Sequence, residues 1–285
     1  MAAAAAAAAA PLFELGLIAD CQHGDKPAAN GRTYRESLHR LALAVEHLNE
    51  FDDLHAVLHL GDVIDGRETL DDSLQDLSNV LGVMQRLHPR LHEQVLHAVG
   101  NHDLAVPRAQ LREALGLADS GTFFSTAVRG AVGWRIVMLD TYQISTSWVK
   151  QGRQPPSIAA DRWLDEHAER PNALDWNGAV GEEQRQWLSE TLDAAGSVGD
   201  RVLVFGHSPL LPGASDAVHC AWDGAETAAI LGMYSCKPPA ASLLHNRTPG
   251  PRACNAIAQA LSGWLTSLPS EVQRPCVLCS FHTCM

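Results

Sequence analysis

The chain has 285 residues, a formal net charge of −12 and a sequence pI near 5.5. This length allows a substantial hydrophobic core, and we expect a single α/β domain to carry the activity. The acidic balance excludes an extended polyanion such as DNA or RNA as a partner, because no basic stripe is present to release counterions. A small anionic ligand stays compatible with this charge if metal ions supply positive charge locally.

The two ends of the chain differ in composition from its middle. Residues 1–11 contain Met1 and a run of nine alanines, which predicts a low-complexity tail rather than a secretory signal. Residues 12–232 form the predicted catalytic domain. Residues 233–285 hold four basic residues and one acidic residue, so this segment is atypical, as an insertion or a shifted reading frame would be. A Pro-rich loop is the alternative.

The sequence also bears on the compartment. No apolar run reaches the roughly 18 residues that a membrane span needs, so we expect no membrane partner. Only one of the seven cysteines precedes residue 220, which argues against a disulfide framework through the domain. We therefore expect a cytoplasmic protein, and the sequence leaves its oligomeric state open.

Predicted strands and helices alternate along the chain. Apolar runs at residues 12–19, 54–60 and 95–99 are typical of buried parallel strands. Apolar residues at helical spacing predict crossover helices over residues 33–51 and 70–87. Further strands are predicted at residues 134–139 and 201–205, with a helix over residues 182–195 between them. In such folds helices cover the sheet faces, and ligands collect beyond the carboxyl ends of the strands.

Four polar motifs follow predicted strands, so their side chains are expected to meet at one edge of the sheet. Carboxylate oxygens, an amide oxygen and imidazole nitrogens suit a pair of divalent cations, which a bridging carboxylate can share. Such a pair activates water for hydrolysis at phosphorus. The motifs are, in chain order, Asp20-x-Gln22, Gly61-Asp62-x-x-Asp65, Gly100-Asn101-His102-Asp103 and Gly206-His207-x-Pro209.

Within these motifs, Asp62 is the candidate bridging carboxylate. His102 is the candidate catalytic group, which would stabilise developing charge or protonate the leaving oxygen. Asp103 would orient this loop or the His102 ring, and a plain hydrogen bond within the loop is an equal alternative. Each motif also has a structural interpretation: a turn after a strand, a helix N-cap at Asp65, or a backbone hydrogen bond from His207. Their joint occurrence in this order favours the metal site.

The set of motifs resembles the calcineurin-like metallophosphoesterase superfamily, whose blocks read D-x-H, G-D-x-x-D, G-N-H-[DE], H and G-H-x-H. The resemblance implies a four-layer α/β/β/α sandwich with a dinuclear metal site at one edge. It also implies that one metal is held by Asp20, Gln22 and Asp62, and the other by Asp62, Asn101 and His207.

Gln22 stands where the superfamily usually has histidine, and this replacement is similar to the manganese-dependent ADP-ribose/CDP-alcohol diphosphatases. An amide oxygen is a harder ligand than imidazole and favours Mn²⁺, with Mg²⁺, Zn²⁺ or iron as alternatives. Residues 139–142 and 176–184 also resemble that family. Asn177 then becomes a candidate wall of the substrate pocket, although the same stretch also fits a turn before a helix.

The implied reaction is hydrolysis of the pyrophosphate bond of ADP-ribose, CDP-choline or CDP-glycerol to a nucleoside monophosphate and a second phosphate ester. Two alternatives stay open. One is a catalytically impaired member that binds a nucleotide or a partner. The other is a different metallophosphoesterase activity, on cyclic nucleotides or on phosphomonoesters, including phosphoproteins.

The C-terminal block G-H-x-H is absent in its expected form, and we expect a truncated or aberrant C-terminal part. His282 and Cys284 can be aligned with the block as substitute ligands. Otherwise His282 is a histidine near a frayed end. Cys276, Cys279 and Cys284 also have a spacing that could bind zinc, but no second cysteine pair accompanies them.

Overall fold

The computed structural model describes residues 13–29, 31–117, 121–213 and 215–235. The first half of this structure is a parallel three-stranded sheet in the order β1-β2-β3. Helical crossovers connect its strands, as the alternating apolar runs predict. The elements are β1 (Glu14–Ile18), α1 (Glu36–Leu48), β2 (Leu54–His59), α2 (Leu70–Met84) and β3 (Val95–His97).

The second half contains another three-stranded sheet, in which one pair of strands is antiparallel and the other is parallel. Its strands are β4 (Phe124–Ala127), β5 (Trp134–Met138) and β8 (Arg201–Phe205). A two-residue antiparallel pair, β6 (Ile144–Ser145) with β7 (Gly178–Ala179), lies between them in sequence. The remaining helices are α3 (Arg108–Ala114), α4 (Ile158–Glu166), α5 (Glu182–Val198) and α6 (Gly224–Ser235).

The two sheets pack face to face, and this interface is one of the main hydrophobic cores. Side chains of β1 and β2 that point away from the helices meet side chains of β5 and β8. Side chains alternate along the end of β2, because Ala56 and Leu58 face the second sheet while Val57 faces the helices. Leu54 also packs on the helix side, since the register with β1 shifts between Leu54 and Ala56. The core residues between the sheets include Leu15, Leu17, Leu58, Ile136, Met138 and Phe205.

Helices cover the outer face of each sheet. On the first sheet, Leu41 and Val45 of α1 and Leu77 and Val80 of α2 pack around Val57. On the second sheet, α5 and α6 do the same for β5 and β8 with Leu188, Leu192 and Leu231. The layers therefore run α/β/β/α, which confirms the predicted fold class.

The ends of the chain are outside this description. Residues 1–12 and 236–285 are not among the described residues, and the expectations for the Ala-rich tail, the atypical C-terminal segment, His282 and the three cysteines fall there. The domain limits at residues 12 and 232 stay predictions. Among the described residues, no helix is both long and apolar enough to cross a membrane.

Candidate metal centre

The loops that follow β1 and β2 lie side by side at the carboxyl edge of the first sheet. Backbone pairing continues past the strands, because the N–H of Asp20 donates to the carbonyl of Gly61 and that of Gln22 to the carbonyl of Asp62. The two donor–acceptor distances are 3.2 and 2.8 Å. This pairing brings the first two motifs together, as expected for parallel strands.

The backbone of this edge has an unusual conformation. Asp20, Gln22 and Asp62 have φ angles of +52°, +43° and +53°, in the left-handed region that side-chain-bearing residues rarely adopt. Among the described residues only one other non-glycine residue, Trp148, has a positive φ. Such strained residues cluster at functional sites, so the three predicted metal ligands carry an independent structural signal.

Asp20, Asp62 and His207 come together into one cluster. Each offers a ligand atom, and these atoms all lie within 4.8 Å of one another. His207 follows β8 of the second sheet, so the cluster spans both sheets of the sandwich. Two carboxylates and one imidazole at this separation fit a divalent cation.

The orientation of the His207 ring suits metal binding. Its Nδ1 lies 2.8 Å from the carbonyl oxygen of Leu60, and because a carbonyl can only accept, Nδ1 carries the proton. Its Nε2 lies 3.6 Å from Oδ2 of Asp62. In the neutral ring, Nε2 therefore directs its lone pair toward the carboxylates, as in metal-bound histidines whose other nitrogen is held by a carbonyl.

The cluster has two carboxylates and one imidazole, so its negative charge is not balanced by positive charge. Burial raises the pKa of Asp20, outweighing the lowering by His207, and the neighbouring Asp62 adds to the rise. Burial also acts to raise the pKa of Asp62, but His207, His102 and the Gln22 amide together hold that pKa below its ordinary value. Burial lowers the pKa of His207, yet Asp62 and Asp20 raise it overall. A bound cation would take over the role of the His207 proton.

Gln22 is buried beside Asp62 and donates from Nε2 to Oδ2 of that carboxylate at 2.7 Å. A cation shared by these two residues requires the amide oxygen of Gln22 rather than its nitrogen. Metal binding would therefore exchange this hydrogen bond for contacts from both residues to the ion. The chemistry of the side chain fits the ligand role that the sequence predicts.

The Gly100-Asn101-His102 loop closes the site from the β3 side. The backbone N–H of His102 donates to Oδ1 of Asp62 at 3.0 Å, which places Asn101 next to the cluster. A Cβ at Gly100 would lie only 2.1 Å from Oδ1 of Asp62, so glycine is required for this close approach. The third motif thus reaches the same carboxylate as the first two.

Asp65 rather than Asp103 contacts the His102 ring. Nδ1 of His102 lies 2.8 Å from the carbonyl oxygen of Asp65 and 3.3 Å from its Oδ1, so Nδ1 carries a proton. Nε2 is then the nitrogen through which the partly exposed ring can act on a ligand. The structural alternative for Asp65 is wrong, because the N-cap of α2 is Thr69, which accepts from the N–H of Asp72.

Asp103 organises the loops instead. Its fully buried carboxylate accepts the N–H groups of Asp62, Val63 and Gly100 at 2.7 to 2.9 Å. Burial, with the Asp62 charge nearby, raises the pKa of Asp103 to about 7 in the metal-free cluster. Of the predicted roles, orientation of the loop is the one that the geometry supports.

The comparisons with known proteins bear on this site directly. A family model described as calcineurin-like phosphoesterase matches residues 14–235, a range that contains all four motifs. The chain belongs to the calcineurin-like phosphoesterase family. This confirms the resemblance stated from the motifs.

Within this family, the chain is similar to several proteins whose names state an activity. A manganese-dependent ADP-ribose/CDP-alcohol diphosphatase of Arabidopsis thaliana is 32% identical over 254 residues, covering 80% of this chain and 78% of the relative. The Mus musculus protein of the same name is 27% identical over 263 residues, covering 80% and 76%. A crystal structure of a dimetal phosphatase from Danio rerio matches with a TM-score of 0.67 at 27% identity, covering 78% of each chain. These similarities support a hydrolase that uses divalent metal.

Asn177, the candidate wall of the substrate pocket, lies inside the protein. Its side chain is fully buried, and its Nδ2 donates to the carbonyl oxygens of Asn172 and Val218 at 3.0 and 2.7 Å. Its Oδ1 has no hydrogen-bond partner among the described residues. The hydrogen bonds of Nδ2 agree with the alternative that this stretch is a turn before a helix. The role of Asn177 in substrate binding stays a prediction.

Thr141, Tyr142 and Ser208 hold the loop that carries His207, and the sequence alone did not indicate this role. Thr141 accepts the N–H of Ser208 through Oγ1 at 3.1 Å, and the hydroxyls of Tyr142 and Ser208 lie 2.9 Å apart. These contacts tie the end of β5 to the loop that carries His207. The Leu139-Asp140-Thr141-Tyr142 stretch was a signal for this part of the site, but its partner could not be read from the sequence.

Proposed function

We propose that this phosphoesterase hydrolyses the pyrophosphate bond of ADP-ribose or of a CDP-alcohol such as CDP-choline or CDP-glycerol. The products are a nucleoside monophosphate and a second phosphate ester. The observation that carries the proposal is the cluster of Asp20, Asp62 and His207, with Gln22 on the bridging carboxylate. The names of the relatives supply the substrate class.

The ligands divide into two sets around Asp62. Asp20 and Gln22 would complete the site of one divalent ion, and Asn101 and His207 that of the other, with Asp62 shared. Mn²⁺ is the preferred ion because Gln22 offers a hard amide oxygen. When bound, such a pair of ions would supply an activated water nucleophile and neutralise charge on the phosphate oxygens.

His102 performs the proton transfer in this proposal. Asp65 holds the ring through Nδ1, so that Nε2 is directed away from Asp65. When protonated, Nε2 donates to the oxygen that links the two phosphates as that bond breaks, and the departing phosphate ester leaves with the proton. Asp103 keeps the Asp62 and Gly100 loops at the separation that this geometry needs.

A small nucleotide is the proposed partner, in keeping with the net charge of −12, which disfavours nucleic acid. Asn177 is proposed to contribute to the nucleotide pocket through its unpartnered Oδ1. The cytoplasmic location stays part of the proposal.

The test is a substrate panel on the full chain. ADP-ribose, CDP-choline, a cyclic nucleotide and bis(p-nitrophenyl) phosphate are each assayed with Mn²⁺, Mg²⁺ or Zn²⁺. We expect Mn²⁺-dependent release of AMP or CMP. The activity should fall about 10²- to 10⁴-fold in His102→Gln and to background in Asp62→Asn. Glu113→Gln, which changes an exposed carboxylate of α3, is the matched control.

Three outcomes would contradict the proposal. Undiminished turnover in both site variants would place the reaction elsewhere. Preferred turnover of the cyclic nucleotide or of bis(p-nitrophenyl) phosphate, both phosphodiesters, would favour another phosphoesterase activity. Tight nucleotide binding without turnover of any substrate would favour the impaired binding protein.

A further inference from the structure

Two cationic side chains flank the site on the side of His102. They are Lys26 and Arg32, from the loop between β1 and α1, and we call them the rim pair. Both contact the carboxylate of Asp65: Lys26 through Nζ, and Arg32 through Nη1 at 3.4 Å. The proposed mechanism gives neither residue a role.

The rim pair is adjacent to the catalytic histidine. Oδ1 of Asp65 receives both Nη1 of Arg32, at 3.4 Å, and Nδ1 of His102, at 3.3 Å. One carboxylate oxygen therefore separates the guanidinium from the imidazole. The charge of Arg32 also acts on the metal cluster, because it is one of the charges that oppose the rise in the pKa of Asp20 that burial causes.

The two side chains of the rim pair are partly exposed, whereas the Asp65 carboxylate that they contact is buried. The side chains of Lys26 and Arg32 are 30% and 44% exposed, while that of Asp65 is 6% exposed. Lys26 Nζ also lies 4.3 Å from the centroid of the Tyr34 ring, which fixes its direction. A ligand that extends over His102 can thus reach both cations without displacing a buried group.

The charges around Asp65 do not balance. Among the ion pairs of the described residues, Asp65 is the single acidic partner of both Lys26 and Arg32. The other acidic groups nearby are engaged elsewhere, Asp25 by Arg35 and Asp76 by Arg67. The rim pair and Asp65 therefore carry one positive charge in excess, beside the carboxylates of the metal cluster.

We propose that Lys26 and Arg32 form a subsite for the second phosphate group of a diphosphate-linked substrate, the phosphate that departs with the leaving group. The inference rests on the proposed function. If His102 donates to the bridging oxygen, the second phosphate is held beside the His102 ring, and Lys26 and Arg32 are the exposed cations that contact the same carboxylate as that ring. A guanidinium and an ammonium are the groups that proteins use most often to bind phosphate oxygens.

A plainer role must be distinguished from this one. The rim pair could act only through Asp65, by fixing the carboxylate that holds His102. Loss of either cation would then affect a ligand with one phosphate group as much as a ligand with two. A subsite for the second phosphate predicts a selective loss.

The first test measures binding without turnover. Calorimetry on the full chain with Mn²⁺ compares methylenediphosphonate, which has two non-hydrolysable phosphonate groups, with methylphosphonate, which has one. We expect the wild-type chain to prefer the diphosphonate. Lys26→Met and Arg32→Gln should each reduce that preference about tenfold, by loss of a charge-assisted contact, with methylphosphonate affinity unchanged. Arg86→Gln, which breaks an exposed ion pair with Glu46, is the matched control.

The binding experiment can overturn the subsite. A wild-type chain with no preference for the diphosphonate would do so, as would a preference that survives in the Lys26→Met, Arg32→Gln double variant. Equal weakening of both ligands would assign the rim pair to the positioning of Asp65 alone.

The second test separates this inference from the proposed function. Steady-state rates of the wild-type chain, Lys26→Met and Arg32→Gln are compared for two substrates. They are ADP-ribose and bis(p-nitrophenyl) phosphate, which has a single phosphorus atom. The subsite predicts a fall of about tenfold in kcat/KM for ADP-ribose alone, and an equal fall for both substrates would contradict it. A chain that hydrolyses neither substrate refutes the proposed function, while the calorimetric preference still decides the subsite.

Discussion

Asp20, Gln22 and Asp62 combine a backbone conformation that favours glycine with side chains that can bind a metal ion. A left-handed φ costs a side-chain-bearing residue on the order of 1–3 kcal/mol, and glycine would avoid the cost. Glycine has no ligand atom, however, and the same backbone turn directs these side chains toward one another. The strain is therefore consistent with a site selected for ligand geometry rather than for stability.

Gln22 provides a matched test of this strain. Gln22→Ala and Gln22→Gly both remove the amide, but only alanine keeps a Cβ at a φ of +43°. We expect the glycine variant to be more stable than the alanine variant by about 1 kcal/mol, measured as the free energy of urea unfolding in a chelator. Both variants should bind Mn²⁺ more weakly than the wild type. An alanine variant at least as stable as the glycine variant would show that the turn is unstrained.

His59 and His97 are buried neighbours on adjacent strands, and they predict how stability depends on pH. Burial lowers the pKa of His59 from 6.5 to about 3 and that of His97 to about 4. Both ring nitrogens of His59 lack hydrogen-bond partners among the described residues. Below pH 6.5 the unfolded chain binds protons that the folded chain refuses, so stability falls as pH is lowered toward these values.

Each histidine should contribute a slope of about 1 kcal/mol per pH unit on average between pH 6.5 and 4.5. Urea unfolding of the metal-free protein across that range measures it. The His59→Gln, His97→Gln double variant should lose this part of the slope, whereas replacement of the exposed His39 should leave it unchanged. An identical slope in the double variant and the wild type would mean that these histidines are protonated in the folded protein.

The candidate ligands Asp20, Asp62 and His207, which the structure brings together, could be found in the sequence because their motifs are short-range signals. Each follows a strand end, and the amide at position 22 can be read directly. Asp103 was the residue that the sequence suggested for orienting the loop or the His102 ring. The contact between His102 and Asp65 could not be read, because the two residues lie 37 positions apart in the chain. The rim pair was missed for the same reason, because its shared carboxylate lies more than 30 residues away.

Among the elements, the loop after β2 and the loop after β3 act as one unit. The carboxylate of Asp103 accepts hydrogen bonds from backbone N–H groups of both loops. The loops that carry His102 and Asp62 are therefore linked through one buried side chain. This coupling predicts that a small change at Asp103 affects both stability and metal binding.

Asp103→Asn tests the coupling. Asparagine has one acceptor oxygen where aspartate has two, so at least one N–H group faces an amide nitrogen. We expect a loss of about 1–3 kcal/mol in the free energy of unfolding and weaker Mn²⁺ binding. The exposed Glu113→Gln variant should change stability by less than about 0.5 kcal/mol. Equal stability of the two variants would contradict the role of Asp103.

The elements that sequence patterns predicted are those with a clear period or a continuous apolar run. Strand β8 and the starts of α2 and α5 were predicted at their observed residues. Strands β6 and β7 were missed because two residues each give no alternation. Helix α4 buries little more than Ala160, and α6 is apolar on several faces, so neither shows the one-sided pattern of an amphipathic helix.

In the molecule as a whole, the candidate site lies where the two sheets of the sandwich meet, beside the apolar core between them. Asp20 and Asp62 belong to the first sheet and His207 to the second, on either side of the core that contains Leu58. A cation held by all three binds the folded chain and not the unfolded one. Its binding therefore stabilises the sandwich as a whole.

The most direct test of the metal centre is the stability that Mn²⁺ adds. The free energy of urea unfolding is measured for the full chain at increasing Mn²⁺, for the wild type, Asp62→Asn and Glu113→Gln. We predict a rise of about 2.7 kcal/mol at a hundred times the dissociation constant for the wild type and the control. The rise should be largely absent in Asp62→Asn. No Mn²⁺-dependent rise in the wild type, or an equal rise in Asp62→Asn, would contradict a metal centre at Asp20, Asp62 and His207.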